Sequence, residues 1–428
     1  MRPSMMTDPS RGVAYRSGFR FIPSGATGRR PTAGLDRNLA RPGLVELPFG
    51  PRGAAEFANT RPVGRAGLSA ARRVLPWLML LGLAGCGGDD GGATTSDANP
   101  APVATPTPAP SPSPSPGPSP GPLVLTGATA PVHDPAILKD NGTYYLFATG
   151  NNGDAEGLLA LRTSTDLAAW RFRGASFRQL PAWTAEAVPN AAGMWAPDIV
   201  RHGNEYRLYY SVSTFGSNRS AIGLATASAL DAGAPATNWV DKGPVIRSSP
   251  ADDYNAIDSM VFIDAEGRSW MVFGSFFSGI KLIGLDPATG LRLAGDPVRP
   301  LAARPSPGAV EAPFVVRRGG FYYLFVSFDF CCQGARSSYN TVVGRASSPT
   351  GPYLDRDGRA MMNGGGTPVL ASGQGEGGRF VGRGHVAILD EGDAQHIVYH
   401  AYDTQRNGVP TLQIQRLAWD AAGWPRAD

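Results

Sequence analysis

Four residues stand out by chemical type and by place: Asp134, Asp258, Glu311 and His385. Each opens, within a residue or so of register, a copy of one local pattern, in which a polar residue precedes a short apolar run, a turn and an aromatic-rich run. The first copy is Asp134 followed by PAILKDNGTYYLFATG, and the third is Asp258 followed by SMVFIDAEGRSWMVFGS. The fourth is Glu311 followed by APFVVRRGGFYYLFVS, and the fifth is His385 followed by VAILDEGDAQHIVYHAY. The second copy carries Ala196-Pro197 at this point, with Asp198 two residues on. Three carboxyl groups brought together suit hydrolysis of a glycosidic bond, which needs one carboxyl protonated and another ionised. Crowded like charges raise the pKa of at least one member, and a third carboxyl can tune the acid. The same residue types also suit a hard cation, and an aspartate before proline can simply cap a turn. Either alternative explains one residue more easily than the whole matched set.

The elements that must position these groups are hairpins. Aromatic and β-branched runs joined by Asn-Gly, Glu-Gly or Gly-Gly read as paired strands. The copies begin about 53 to 74 residues apart, which leaves room for two more strands each time. That spacing predicts an all-β, five-bladed β-propeller over residues 123–428. A sandwich would not repeat so regularly, and a β-helix would repeat at a shorter period. In a propeller, equivalent inner-strand positions converge on one end of the central axis.

The 55 glycines and 39 prolines fit a turn-rich fold plus low-complexity sequence. The overall charge of +4 misleads, because residues 1–86 hold 13 of the 39 basic and 4 of the 35 acidic residues, leaving 26 basic against 31 acidic. No basic stripe interleaved with aromatics points to nucleic acid. Three cysteines, Cys86, Cys331 and Cys332, are too few for a disulfide scaffold, and no spacing suggests zinc. Residues 71–86 read as an export signal, with Arg72-Arg73 before LPWLMLLGLAG, and Leu83-Ala84-Gly85-Cys86 resembles a bacterial lipobox. Cys86 would then carry the lipid of an exported bacterial lipoprotein, the only expected membrane attachment. Residues 1–70 lack periodicity and read as a non-native or disordered extension. Residues 87–122 read as a Pro/Ser/Gly-rich spacer. A monomer is expected.

Six segments in order carry a family resemblance: Val132-His133-Asp134-Pro135, Met194-Trp195-Ala196-Pro197-Asp198, Asn255-Ala256-Ile257-Asp258, Gly274 to Gly279, Val310-Glu311-Ala312-Pro313 and Ser327 to Cys332. From about Thr126 to Trp419 the chain resembles glycoside hydrolase family 43, and within it the endo-α-1,5-L-arabinanases. The resemblance implies inverting hydrolysis of arabinan, a side chain of pectin. By position, Asp134 matches the general base, Glu311 the general acid, and Asp258 the carboxylate that tunes the acid's pKa. An inverting pair should stand about 6.5–9.5 Å apart to admit water. Asn255, Ala256, Ile257, Ser275, Phe276, Phe277 and Gly216 match substrate-contacting stretches. Asp258-Ser259 departs from the Asp-Pro of many relatives.

His385 looks like the family's axial histidine, which implies a calcium or similar ion beside it; a histidine that only hydrogen-bonds a carboxylate is the other reading. No organic cofactor is expected. Trp195 is a candidate sugar platform, because a flat apolar ring suits the C–H face of a sugar. Whether Cys331 and Cys332 pair stays open: export favours oxidation and the geometry of neighbours resists it. The competing functions are an exo-acting arabinofuranosidase or xylosidase of the same family, and a non-catalytic sugar-binding propeller.

Overall fold

The computed structural model describes residues 121–374 and 376–428. The expected extension, signal, anchor at Cys86 and nearly all of the spacer lie outside the described residues.

Among the described residues, two five-stranded and three four-stranded sheets follow one another. Their inner strands are Ala136–Asp140, Gly193–His202, Met260–Ile263, Val310–Arg318 and Phe380–Asp390. Each inner strand touches the next, and the fifth returns to the first, so the sheets form a ring of five blades. The expected five-bladed β-propeller is the observed fold. Each inner strand pairs antiparallel with the aromatic-rich run that follows it, as in Ala136↔Phe147 and Met260↔Val272. Among the described residues no helix is long and apolar enough to cross a membrane.

The aromatic and aliphatic side chains of these hairpins fill the spaces between blades. Five apolar clusters do this, one per joint. Phe147 and Leu208 belong to the cluster between the first two blades, Leu224 and Phe273 to the next, and Val272 and Leu324 to the third. Phe325 with Tyr399, and Leu146 with Val398, fill the last two. All of these side chains are fully buried. Covering both sheet faces explains why the strands read as nearly continuous apolar runs.

The ring closes through residues 123–132. Leu123 N–H donates to Ile414 C=O at 2.8 Å, Leu412 N–H to Thr129 C=O at 2.8 Å, and Val132 N–H to Pro410 C=O at 2.9 Å. The same segment pairs in parallel with the first blade, Thr126↔Ala169.

Candidate active site

At one matching point of every blade, just before the inner strand in the first and third and within it in the others, one residue takes a left-handed backbone. These are Asp134 (φ 52°), Ala196 (φ 44°), Asp258 (φ 60°), Ala312 (φ 54°) and His385 (φ 54°). Such a conformation costs a non-glycine residue of order 1–3 kcal/mol and survives only where its surroundings dictate it. A repeated bond supplies part of that support. The N–H of Ala196 donates to Thr149 Oγ1 at 2.8 Å, that of Asp258 to Ser211 Oγ at 3.0 Å, that of His385 to Ser327 Oγ at 2.9 Å, and that of Asp134 to His400 Nδ1 at 3.1 Å. Each acceptor stands at the same register on the preceding blade, the last blade serving the first.

The structurally equivalent residue in the fourth blade is therefore Ala312, and Glu311 lies one step earlier, level with His133, Trp195, Ile257 and Gly384. This offset of one residue falls within the register expected from the repeat. The one-residue offset places the longer glutamate arm from the adjacent position.

Asp134, Asp258 and Glu311 are 8%, 7% and 8% exposed, so each retains a narrow opening to solvent. They share one electrostatic site: His385 feels all three carboxyls, and Asp258 feels Asp134 and Glu311. Their environments push them apart. Burial acts to raise the Asp134 carboxyl, but His133 and His385 beside it hold it well below the usual carboxylate range. His133 Nδ1 and His385 Nδ1 lie 2.8 and 2.9 Å from Asp134 Oδ1, and Thr149 Oγ1 donates to Oδ2 at 2.6 Å.

Burial pushes the Glu311 carboxyl up, against hydrogen bonds from Ser275 and Tyr339 that favour its ionised form. The Ser275 hydroxyl reaches Glu311 Oε2 at 2.6 Å. Burial also pushes Asp258 well above the usual range, aided by the charges of Glu311 and Asp134 and opposed by His385. Near neutral pH this arrangement holds an ionised carboxylate at Asp134 and favours a protonated carboxyl at Glu311.

His385 is drawn up to about 9, because the three carboxyls outweigh the burial that opposes its charge. The field that favours a proton there would also favour a cation. His385 Nδ1 is taken by Asp134, which leaves Nε2 as the one ligand atom this ring can offer. That donor set suits an ion keeping its own water shell and does not form the oxygen cage of a dehydrated calcium. Two other histidine groupings have ligand-like spacing, His133 with Cys331 and Cys332, and His133 with Asp134 and His400. The cysteines form a disulfide, and His400 Nδ1 already accepts the Asp134 N–H. The disulfide settles the question that the sequence leaves open for this pair.

The expected sugar contacts divide. Trp195 is half-buried, with Nε1 donating to Asn151 Oδ1 at 2.9 Å. Ile257 is half-buried and Ser275 bonds Glu311. Phe276 is half-buried against Phe330, while Phe277 is 51% exposed. Gly216 is exposed, in a loop tied down by Asn218, whose Nδ2 donates to the carbonyls of Ser249 and Asp252 at 2.9 Å. Ala256 departs from its expected part: it is fully buried in the joint between the second and third blades, so its methyl supports the loop. Asn255 is 5% exposed, with Oδ1 accepting from Ser220. Asp198 stands apart from the three acids. Its Oδ2 accepts the Val261 N–H at 2.8 Å, and burial pushes its carboxyl up to about 7.

Several residues at the site carry no role in the sequence reading: His133, Thr149, Ser211, Ser327, Tyr339, His400 and Tyr402. His133 sits inside a quoted motif, but Tyr402 and His400, which its ring meets, lie more than 260 positions away. Only the register between the first and last blades reveals them.

What such a constellation suits is cleavage of a glycosidic bond, and the protein is a glycoside hydrolase built on a five-bladed propeller. The sequence profile of "Glycosyl hydrolases family 43" matches residues 128–425, and the chain belongs to that family. It is 43% identical over 300 residues to the "Extracellular endo-alpha-(1->5)-L-arabinanase 1" of Bacillus subtilis (strain 168), covering 69% of this chain and 87% of that protein. It is 38% identical over 309 residues to the "Extracellular exo-alpha-(1->5)-L-arabinofuranosidase ArbA" of Cellvibrio japonicus (strain Ueda107), covering 69% and 86%. Its fold is similar to the solved "GH43 Endo-Arabinanase from Bacillus licheniformis", with a TM-score of 0.65, 43% identity, and coverage of 71% of this chain and 99% of that one.

Proposed function

We propose that this enzyme cleaves internal α-1,5-L-arabinofuranosyl bonds of arabinan with inversion. The observation that carries the mechanism is the opposed pair: Asp134 is held well below the ordinary carboxylate range while Glu311 is pushed above it. Glu311 donates its proton to the glycosidic oxygen as that bond breaks. Asp134 takes a proton from a water that attacks the anomeric carbon from the opposite face. Asp258 tunes Glu311 through charge. Trp195, Ile257 and Phe276 would line the sugar path, and Asn255 would support it.

The strong similarity to a relative named as an endo-arabinanase supports the endo reading. An exo-acting relative shares the same family, so product length is the deciding observable. We propose further that the enzyme works outside the cytoplasm, as the word "Extracellular" in both relatives' names suggests, anchored by a lipid at Cys86 and acting as a monomer. A hydrated cation held by His385 Nε2 would add positive charge near the three carboxyls.

The test is hydrolysis of debranched arabinan, linear xylan and nitrophenyl arabinofuranoside by the wild-type enzyme. Short arabino-oligosaccharides from arabinan, with little nitrophenol released, support the proposal. Arabinose alone from arabinan would replace it with exo action, and inertness toward arabinan would sink it.

A further inference from the structure

The base has a second neighbourhood that the proposed mechanism does not use. Cys332 N–H donates to Tyr402 Oη at 2.7 Å. Tyr402 Oη lies 2.7 Å from His133 Nε2, and His133 Nδ1 lies 2.8 Å from Asp134 Oδ1. Cys332 itself is bonded to Cys331, with a left-handed backbone at φ 65°. We infer that the vicinal disulfide, Tyr402 and His133 form a one-way hydrogen-bond chain that ends in an N–H donated to Asp134.

The direction follows from counting lone pairs. A phenolic hydroxyl accepts at most two hydrogen bonds and donates one. Tyr402 accepts from Cys332 N–H, and at the other end ionised Asp134 can only accept from His133 Nδ1. The Tyr402 proton is therefore left for His133 Nε2. Tyr402 is 2% exposed, and burial raises its pKa, so that proton stays in place at working pH. With Nε2 accepting, the proton of His133 sits on Nδ1, facing Asp134. The ring is held flat against His400, with centroids 3.9 Å apart.

The disulfide's part is to fix the first donor. Closing a bond between adjacent cysteines limits the backbone at Cys332, whose left-handed conformation aims its N–H at Tyr402. His133 and Tyr402 are thus positioning residues for Asp134, and the role rests on Asp134 being the base.

The experiment is nitrogen NMR of histidine-labelled enzyme without substrate, combined with kinetics on arabinan. The chain has 5 histidines, so a His133→Asn variant assigns the signal. Wild type should show His133 protonated at Nδ1 only. Tyr402→Phe, checked for native fold by circular dichroism and thermal unfolding, should shift the Nε2 signal, because that nitrogen loses its donor. Its kcat should fall about 10-fold to 100-fold with KM nearly unchanged, as expected when a reacting group is misplaced. The double variant Cys331→Ser, Cys332→Ser should move both readouts the same way. A wild-type His133 protonated at Nε2, or at both nitrogens, overturns the chain. An unmoved signal in Tyr402→Phe does the same, and an unmoved signal in the double variant removes the disulfide from it. Because the signals are read without substrate, a failure on arabinan would count against the proposed substrate and leave this test intact.

Discussion

Asp258 accepts the backbone N–H of Ala312 through Oδ2 at 3.1 Å, and Ala312 is the residue next to Glu311. In the other four blades the equivalent N–H goes to Thr149, Ser211, Ser327 or His400 on the preceding blade. The matching position on the third blade is Gly274. A Cβ there would lie 2.6 Å from the Gly279 carbonyl oxygen, so no side chain can stand in that place. The missing acceptor is replaced by the Asp258 carboxyl, which ties one acid to the backbone that carries the other. Asp258 then keeps a lone pair on Oδ2, and any proton it holds belongs on Oδ1.

Glu311→Gln should lower kcat on arabinan by ~10²–10⁴-fold, the usual contribution of a general acid. Binding of arabino-oligosaccharides should survive, because the amide keeps the shape. Titration calorimetry and initial rates measure the two separately, and near-normal turnover would remove Glu311 from its role.

Asp134→Asn should cut turnover on a similar scale. In the wild-type enzyme the first product seen by proton NMR should carry the inverted anomeric configuration. A retained anomer would mean a covalent intermediate and a different part for Asp134.

Ser275→Ala should shift the pH dependence of kcat. The Ser275 hydroxyl favours ionised Glu311, so its loss raises the Glu311 pKa. A general acid works only while protonated, and activity is lost as pH rises through that pKa. The alkaline limb should therefore move to higher pH; movement to lower pH would contradict the assignment.

Ser211→Ala leaves the Asp258 N–H without its buried acceptor. An unsatisfied buried donor costs about 1–3 kcal/mol. Chemical denaturation should show that loss, with a fall in kcat because Asp258 is no longer held. Unchanged stability would show that this bond contributes little to the ring.

Trp195→Ala should raise KM for arabinan roughly 10-fold if the indole carries a sugar ring, in line with an aromatic contact of ~1.5 kcal/mol. An unchanged KM would leave Trp195 as a packing residue bonded to Asn151.

The five-bladed ring was legible because each hairpin announces itself locally, by a turn dipeptide between two apolar runs. Asp134 and Asp258 were legible for the same reason, since each opens a repeat. Glu311 was legible as a carboxyl within about a residue of register, and the strand pairing Glu311↔Ser327 fixes the offset at one. His400 and Tyr402 were not legible, because each lies inside a strand and meets Asp134 or His133 only when the fifth blade closes on the first. Ala256 looked like part of a sugar-contacting segment, and only the packing of the neighbouring blade shows its methyl to be sealed. The Cys331–Cys332 bond was undecidable from composition, since compartment and geometry argued in opposite directions.

The closure by residues 123–132 has a bearing on how the enzyme would fail. Four of the joints between blades are crossed by continuous chain, whereas the joint between first and last blades is held by its apolar cluster and by hydrogen bonds such as Leu412 to Thr129. That same joint brings Asp134 to His385, His400 and Tyr402. Warming or denaturant that loosens it would scatter the environment of the base while the other blades stay paired, so catalysis should be extinguished before the sheets melt.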